Sequence, residues 1–499
     1  MKNRVVKLLG FFTLIIAIFS CSSDRDSTET PTVETKVITA SETSVSIPEA
    51  GGTSTVKITM TGKEWVAVSS QDWCKLSVTN SSSASQDVTI TVPANPDLTA
   101  REATLTFVAD GSSQKSVKIT VSQAGRTTLY PSYNTNPIAA DASGMSSDAI
   151  TLASKIKLGW NIGNALEATG GETAWGNPKT TKALIDVVKA NGFNAIRIPC
   201  SWNQYLENSA NAQIKTEWLN RVKEVVKYCV DNDMYVILNI HWDGGWLENN
   251  CTEAKKVENN AKQKAFWEQI ATNLRDFDEH LLFASANEPN VDDATQMAVL
   301  NSYHQTFIDA VRSTGGKNAY RNLIIQGPAT DIEKTNKLMT TLPTDKLANR
   351  LMVEVHYYTP YQFCLMEKDA DWGKMFYYWG AGFHSTTDTV HNATWGEEAD
   401  VDKFFKSMKT QFVDKGIPVV LGEFGAIRRT SLTGDDLTLH LNSRAHYLNY
   451  VVKQAKANGM LPFYWDAGGM GDNGSALFNR NNNTVFDSQA LTALVNGLK

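Results

Sequence analysis

The chain has 499 residues, 42 % hydrophobic and 20 % charged, which excludes wholesale disorder and, at roughly 100–200 residues per domain, implies two or three domains. Lys and Arg total 47 against 53 Asp and Glu, a formal net charge of −6, so no nucleic-acid partner is expected. Of the 13 Trp, only Trp65 and Trp73 precede residue 150; the larger part of the chain has uses for broad aromatic faces.

Lys2, Arg4 and Lys7 precede an apolar run from Leu8 to Phe19. The run is shorter than the ~20 residues of a spanning helix and has the length of a signal-peptide core. Ala17-Ile18-Phe19-Ser20-Cys21 resembles a bacterial lipobox. That resemblance implies a signal peptide over 1–20, lipidation of Cys21, a tether over 21–39, and a bacterial outer-membrane or cell-surface protein that meets the membrane only through its lipid. The alternative is ordinary secretion with a coincidental cysteine. Cys74, Cys200, Cys229, Cys251 and Cys364 show no C-x-x-C spacing, so no metal site is expected and they read as small buried hydrophobes.

Between residues 40 and 125 lie short period-two runs: 44–47, 55–58, 88–92, 103–107 and 117–121. Gly51-Gly52 and Asp110-Gly111 punctuate them. This pattern predicts an all-β, immunoglobulin-like sandwich. The order Trp65, Trp73, Asn95, Arg101 and Val121-Ser122-Gln123-Ala124-Gly125 resembles the BACON-type module, with the two Trp expected as core or spacer residues. Residues 126–146, rich in Pro, Ser, Asn and Thr, read as a linker.

Residues 147–499 repeat a β-branched strand, a loop and an amphipathic helix. Strands are predicted to begin near Leu158, Ala195, Tyr235, Leu281, Leu323, Leu351, Val419 and Pro462. Helices are predicted over 180–190, 217–232, 261–277, 295–312, 401–414 and 437–458; in the second, Trp218, Val222, Val225, Val226 and Cys229 form one apolar stripe. The fold class is therefore α/β, a (β/α)8 TIM barrel, whose sites lie at the C-terminal ends of its strands. A doubly wound sheet is the rival. It is disfavoured because Gly159-Trp160-Asn161-Ile162-Gly163-Asn164 has the wrong spacing for a dinucleotide loop.

Several strands end in polar residues. The fourth runs into Asn287-Glu288-Pro289 and the seventh into Glu423-Phe424-Gly425. A carboxylate at the end of an apolar strand loses hydration unless it is paired, so two of them, on strands four and seven, point to chemistry. Arg197 closes strand two, His241 ends strand three and Trp465 ends strand eight. His356 and Tyr358 share a face of strand six through period two.

Together the Ile196–Pro199 segment, Asn287-Glu288-Pro289, His356-x-Tyr358, Glu423-Phe424-Gly425 and Trp465 resemble glycoside hydrolase family five. The opening Gly159–Glu167 segment and Trp175-Gly176-Asn177-Pro178 are closest to its endoglucanase branch; His241-Trp242 departs from the paired histidines of many members. The resemblance implies an endo-acting, retaining hydrolase of β-1,4-glucan (cellulose-type, mixed-linkage or xyloglucan) with Glu288 as acid/base and Glu423 as nucleophile. It further implies substrate contacts from Arg197, His241, Asn287, His356, Tyr358 and Trp465. The expectation for the pair is that repulsion raises one pKa while a cation and hydroxyls keep the other carboxyl ionised. No cofactor is implied; the expected partner is a β-glucan, and the expected state a monomer. A noncatalytic glycan-binding protein, a mannanase or xylanase of the same fold, and a metal-dependent hydrolase using His241 and His356 are the competing readings.

About 60 residues between strands six and seven carry Tyr361, Trp372, Tyr377, Tyr378, Trp379, Phe383 and Trp395. A loop of that length is expected to be functional, here by walling the cleft and setting substrate preference.

Overall fold

The computed structural model describes residues 37–112 and 115–499, so the expected signal segment and Cys21 lie outside the described residues. Two compact units divide at residue 127.

In the first unit, strands Ile38–Ala40, Gly52–Met60, Ser85–Val92 and Lys75–Leu76 form one sheet. The other joins Ser44–Ile47, Ser116–Gln123, Arg101–Ala109, Trp65–Ser69 and Asn80–Ser81. Period two puts Val56, Ile58, Val88, Ile90, Leu105, Phe107, Ile119 and Val121 inside. Trp65 is fully buried and meets Phe107 edge-on at 5.3 Å, while Trp73 carries the Arg101 guanidinium 4.3 Å above its ring. Asn95 donates to the Thr99 and Ala124 carbonyls, and Gln123 donates to the Pro48 and Pro93 carbonyls. These residues close the sandwich.

The second unit is a closed parallel barrel of eight strands: β1 (Gly159–Ile162), β2 (Ala195–Ile198), β3 (Tyr235–Asn239), β4 (Leu281–Ala284), β5 (Leu323–Gln326), β6 (Leu351–Tyr357), β7 (Val419–Phe424) and β8 (Met460–Asp466). The long outer helices are Lys182–Ala190, Thr216–Val230, Glu253–Leu274, Ala294–Ser313, Glu398–Gln411 and Gly434–Ala457. The third starts well before the predicted residue 261, because its first turns are polar and exposed and carry no apolar period. Residues read as a linker are partly fastened to the barrel. Ser132, Tyr133 and Asn134 all donate to the buried carboxylate of Glu268, and Ile138–Ala140 pairs with Gly315–Gly316.

Inside the barrel, Ala195, Ile237, Leu282, Ile324, Met352, Val420 and Leu461 make an apolar layer, met at the strands' starting ends by Leu152 and Ile156. Two residues further along β2, β3, β5 and β6 the inward layer turns polar with Arg197, Asn239, Gln326 and Glu354, joined by Asn161 of β1, each buried. Strand β7 needs a special device to join them. Val355 pairs with Leu421 but His356 pairs with Glu423, so Gly422 is an extra residue, a β-bulge. Leu421 faces the helices; without the bulge, period two would send Glu423 the same way. The bulge turns Glu423 into the barrel. All five described cysteines beyond residue 37 are buried and free.

Candidate active site

Arg197 is completely buried and its guanidinium is shared among four neighbours. Nη1 lies 2.8 Å from Glu423 Oε1 and 3.0 Å from Asn161 Oδ1. Nη2 donates to Asn287 Oδ1 at 2.8 Å, and Nε stands 2.9 Å from Glu354 Oε1. A planar fork with several donors suits this division. The other oxygen of Glu423 accepts from the Tyr358 hydroxyl at 3.0 Å. Its side chain is 7 % exposed.

Glu288, on the loop after β4, is more open: its side chain is 43 % exposed. Its Oε1 lies 2.7 Å from His356 Nδ1, and the other ring nitrogen, Nε2, lies 3.2 Å from Glu354 Oε1. The backbone N–H of Glu288 donates to Glu248 Oε1 at 2.8 Å, and Glu248 also draws a side-chain hydrogen bond from Asn287. Burial pushes Glu248 up to about 7. One oxygen each of Glu288 and Glu423 and one nitrogen of His356 lie within 4.8 Å of one another. That spacing belongs to two carboxyls that act on one bond from close quarters, ~5–5.5 Å for retention, and not to the ~6.5–9.5 Å that leaves room for a water between them.

The electrostatics depart from the sequence expectation. Burial raises Glu423 above the usual carboxylate value, and the charges of His356 and Arg197 offset only part of that. Burial also works to raise Glu288, but the hydrogen bond and charge of His356 overcome it and leave Glu288 lowered. His356 is pushed up to about 10: burial opposes its charge, and the carboxylates of Glu423, Glu288 and Glu354 outweigh burial. These directions put the shared proton on His356, one hydrogen bond away from Glu288. The resemblance implies that His356 positions the acid/base, and its ring does contact Glu288, but which group carries the proton depends on distances to three carboxylates that no sequence pattern records.

His241 stacks on Trp465, ring centres 5.8 Å apart and planes within 10°. Asn239 contacts its Nδ1 at 3.2 Å, and burial together with the charges of Arg197 and His356 keeps it neutral, well below the usual histidine value. Gly163 is required beside Trp465, since a β-carbon there would stand 2.8 Å from the indole ring. All eight candidates thus converge on one mouth of the barrel. Sequence reading missed three neighbours: Asn161, Glu248 and Glu354. Glu354 was legible in principle, sharing the period-two face of His356 and Tyr358. Among the described residues, Glu288, His356 and Glu423 are also the one acidic–histidine group compact enough for a metal ion, but both His356 nitrogens already face carboxylates.

Residues 161–471 match the family model described as cellulase (glycosyl hydrolase family 5), and residues 63–124 match the BACON model, a putative N-terminal binding domain. A xyloglucan-specific endo-β-1,4-glucanase of Bacteroides ovatus is 38 % identical over 454 residues, covering 87 % of this chain and 86 % of its own. The solved structure of a Bacteroides ovatus family 5 xyloglucanase with an XXXG heptasaccharide superposes with a TM-score of 0.68 at 35 % identity, covering 92 % of this chain and 99 % of the other. A broad-specificity endoglucanase from Bacteroides salanitronis superposes with a TM-score of 0.63 at 35 % identity, covering 73 % and 98 %.

Proposed function

This chain belongs to glycosyl hydrolase family 5, and from that premise we propose that its preferred substrate is xyloglucan, cleaved by Glu423 as nucleophile and Glu288 as acid/base. Its reaction class is endo-acting, retaining hydrolysis of β-1,4-glucan. The observation that carries the xyloglucan reading is the similarity to a xyloglucan-specific enzyme across 87 % of the chain. Exposed aromatic faces support it: Trp175, Trp242, Tyr361, Trp372 and Trp395 all lie on segments that follow barrel strands. Flat rings bind sugar C–H faces without stripping every hydroxyl of water.

A sugar ring stacked on Trp465 presents its anomeric carbon to Glu423, whose ionised oxygen attacks as Arg197 and Tyr358 hold the carboxylate in place. Covering Glu288 with sugar removes its water, raises its pKa and draws the His356 proton onto the carboxyl. Glu288 passes that proton to the departing glycosidic oxygen while the C–O bond breaks and a glycosyl ester forms on Glu423. Water then attacks the ester; Glu288 takes its proton and the β-configured product leaves. Asn287, held through its oxygen by Arg197, turns its amide toward the sugar 2-hydroxyl, and His241 supports Trp465. The lipid on Cys21 would hold this chemistry at the cell surface.

The test is hydrolysis of tamarind xyloglucan, carboxymethylcellulose, mixed-linkage glucan, mannan and xylan under one set of conditions, with the first product anomer followed by NMR. Xyloglucan is expected to give the highest kcat/KM and the β-anomer first. Equal or faster cleavage of unbranched glucan would replace the preference with the broad-specificity reading.

A further inference from the structure

Glu354 is a third carboxylate, wholly buried one layer beneath the reactive pair. Removing a carboxylate from water costs several kcal/mol unless its partners are well placed. Here the Arg197 guanidinium makes an ion pair with one oxygen, Nε at 2.9 Å, which His356 Nε2 also meets at 3.2 Å, and the Gln326 amide donates at 2.7 Å to the other. Gly422 of β7 leaves the space; a β-carbon there would stand 2.0 Å from Glu354 Oε1. Glu423 already supplies a counter-ion to Arg197 at 2.8 Å, so neutralising that guanidinium does not by itself require Glu354.

The protonation of His356 does. A neutral imidazole has one donor and one acceptor, whereas an imidazolium donates from both nitrogens and needs an acceptor on each. With Glu354 ionised beside Arg197, Nε2 has to be the donor toward it. Nδ1 then faces Glu288 at 2.7 Å, and a proton on that line is held between the ring and the carboxyl. Resting on the assignment of Glu288 as acid/base, we infer that Glu354 is a positioning residue: it fixes His356 with Nε2–H pointing down into the barrel and so stores the proton that Glu288 delivers. The charged and titratable groups around it are Arg197 from β2, Glu288 from the β4 loop, His356 and Tyr358 from the end of β6, and Glu423 from β7. Glu354 is held below the usual carboxylate value, since Arg197 and His356 outweigh the cost of burial.

The test is E354Q in the full chain, which keeps the shape and removes the charge. Three readouts apply: the ¹⁵N-histidine NMR spectrum, the pH profile, and the ratio of activity on glucan to activity on dinitrophenyl cellobioside, whose leaving group needs no proton. In the wild-type spectrum His356 is expected to be doubly protonated at pH 8. In E354Q it is expected to lose its second proton at least about one pH unit lower, with glucan turnover falling about 10- to 100-fold and the aryl glycoside losing far less. E354D, which retains the charge, is expected to restore the basic limb in part and serves where E354Q fails to fold. A neutral His356 in the wild type, an unmoved basic limb, or equal losses on both substrates would overturn the inference and leave Glu354 a partner of Arg197 alone. E288Q separates the two layers: undiminished glucan cleavage there would remove the acid/base assignment, whereas the His356 spectrum judges Glu354 independently.

Discussion

Gly422 and Glu354 occupy each other's space: the β-carbon that any other residue would bring to position 422 falls 2.0 Å from Glu354 Oε1. The same glycine is the extra residue of the β7 bulge that turns Glu423 inward. A methyl group at 422 therefore strikes a carboxylate that holds both Arg197 and His356. G422A is expected to lower stability by roughly 1–3 kcal/mol through overpacking and to reduce kcat/KM on soluble glucan more than about tenfold, because Arg197 and His356 both touch the reactive pair. Chemical denaturation and initial rates check this; wild-type values in both would show that the barrel yields at β7 without cost.

Glu423 is nearly enclosed while Glu288 is open on one side, and that asymmetry fits an attacking group held under the sugar and a proton donor at its edge. Incubation with a 2-fluoro cellobioside bearing a good leaving group should label Glu423, read by mass spectrometry of the digested protein. E288A is expected to lose about 10²- to 10⁴-fold on glucan and much less on the dinitrophenyl glycoside. Label on Glu288 would exchange the two roles.

The pH profile follows from the two directions of shift. Glu423 has to be ionised to attack, and burial has raised it above its ordinary 4.5, so kcat/KM should fall on the acid side at a pH above that value. On the basic side the loss is that of the shared proton on His356, which is held to about 10 against an ordinary 6.5, so activity should persist beyond 6.5. The same rise is a stability statement: the contribution of His356 is complete below 6.5 and is lost as pH climbs through about 10. Rates and denaturation midpoints across pH 4 to 10 test both; an activity decline centred on 6.5 would refute the assignment of the basic limb.

Period two and period 3.6 carry most of this fold in the sequence. Strands β1 to β7 begin within one residue of where their apolar runs do, since each is a continuous buried run bounded by turns. The helix Ile332–Leu338 was not read because its seven residues offer barely two turns of pattern. In the site, residues ending strands were legible, whereas the bulge at Gly422 was not: it depends on register with a neighbouring strand, which no local pattern records. Glu248 escaped for a similar reason, sitting on a single turn after β3 and reaching across to the backbone of Glu288.

In the sandwich, Trp65 fills the core and has no exposed surface, with Phe107 against its ring. W65A is expected to destabilise that unit by about 3–5 kcal/mol while leaving turnover of a soluble glucan unchanged, since the reactive residues all belong to the barrel. Two-stage thermal unfolding followed by calorimetry, with rates measured in parallel, checks this; a matching loss of turnover would mean the barrel depends on the sandwich for its fold.

The long segment between β6 and β7 divides its aromatic residues between two tasks. Tyr378 and Trp379 are buried, and Trp379 packs edge-on against Tyr447 of the helix Gly434–Ala457 at 5.0 Å, with its backbone N–H donating to Ser443. These anchor the segment. Tyr361 and Trp372 are 47 % and 66 % exposed, with ring centres 6.1 Å apart, and Trp395 is 46 % exposed above a cavity of about 250 Å³ that reaches His356. Trp395 shares that cavity with His356, and Tyr361 and Trp372 keep open ring faces in water, so removing these rings should cost binding more than folding. W372A and W395A are each expected to raise KM for xyloglucan oligosaccharides about 3- to 30-fold, the effect of a stacking contact of roughly 0.5–2 kcal/mol, with kcat and the denaturation midpoint near wild type. Steady-state kinetics on xyloglucan and cellohexaose decide the matter: a larger penalty on the branched substrate assigns the segment to side-chain recognition, and no change on either returns it to a purely structural cap.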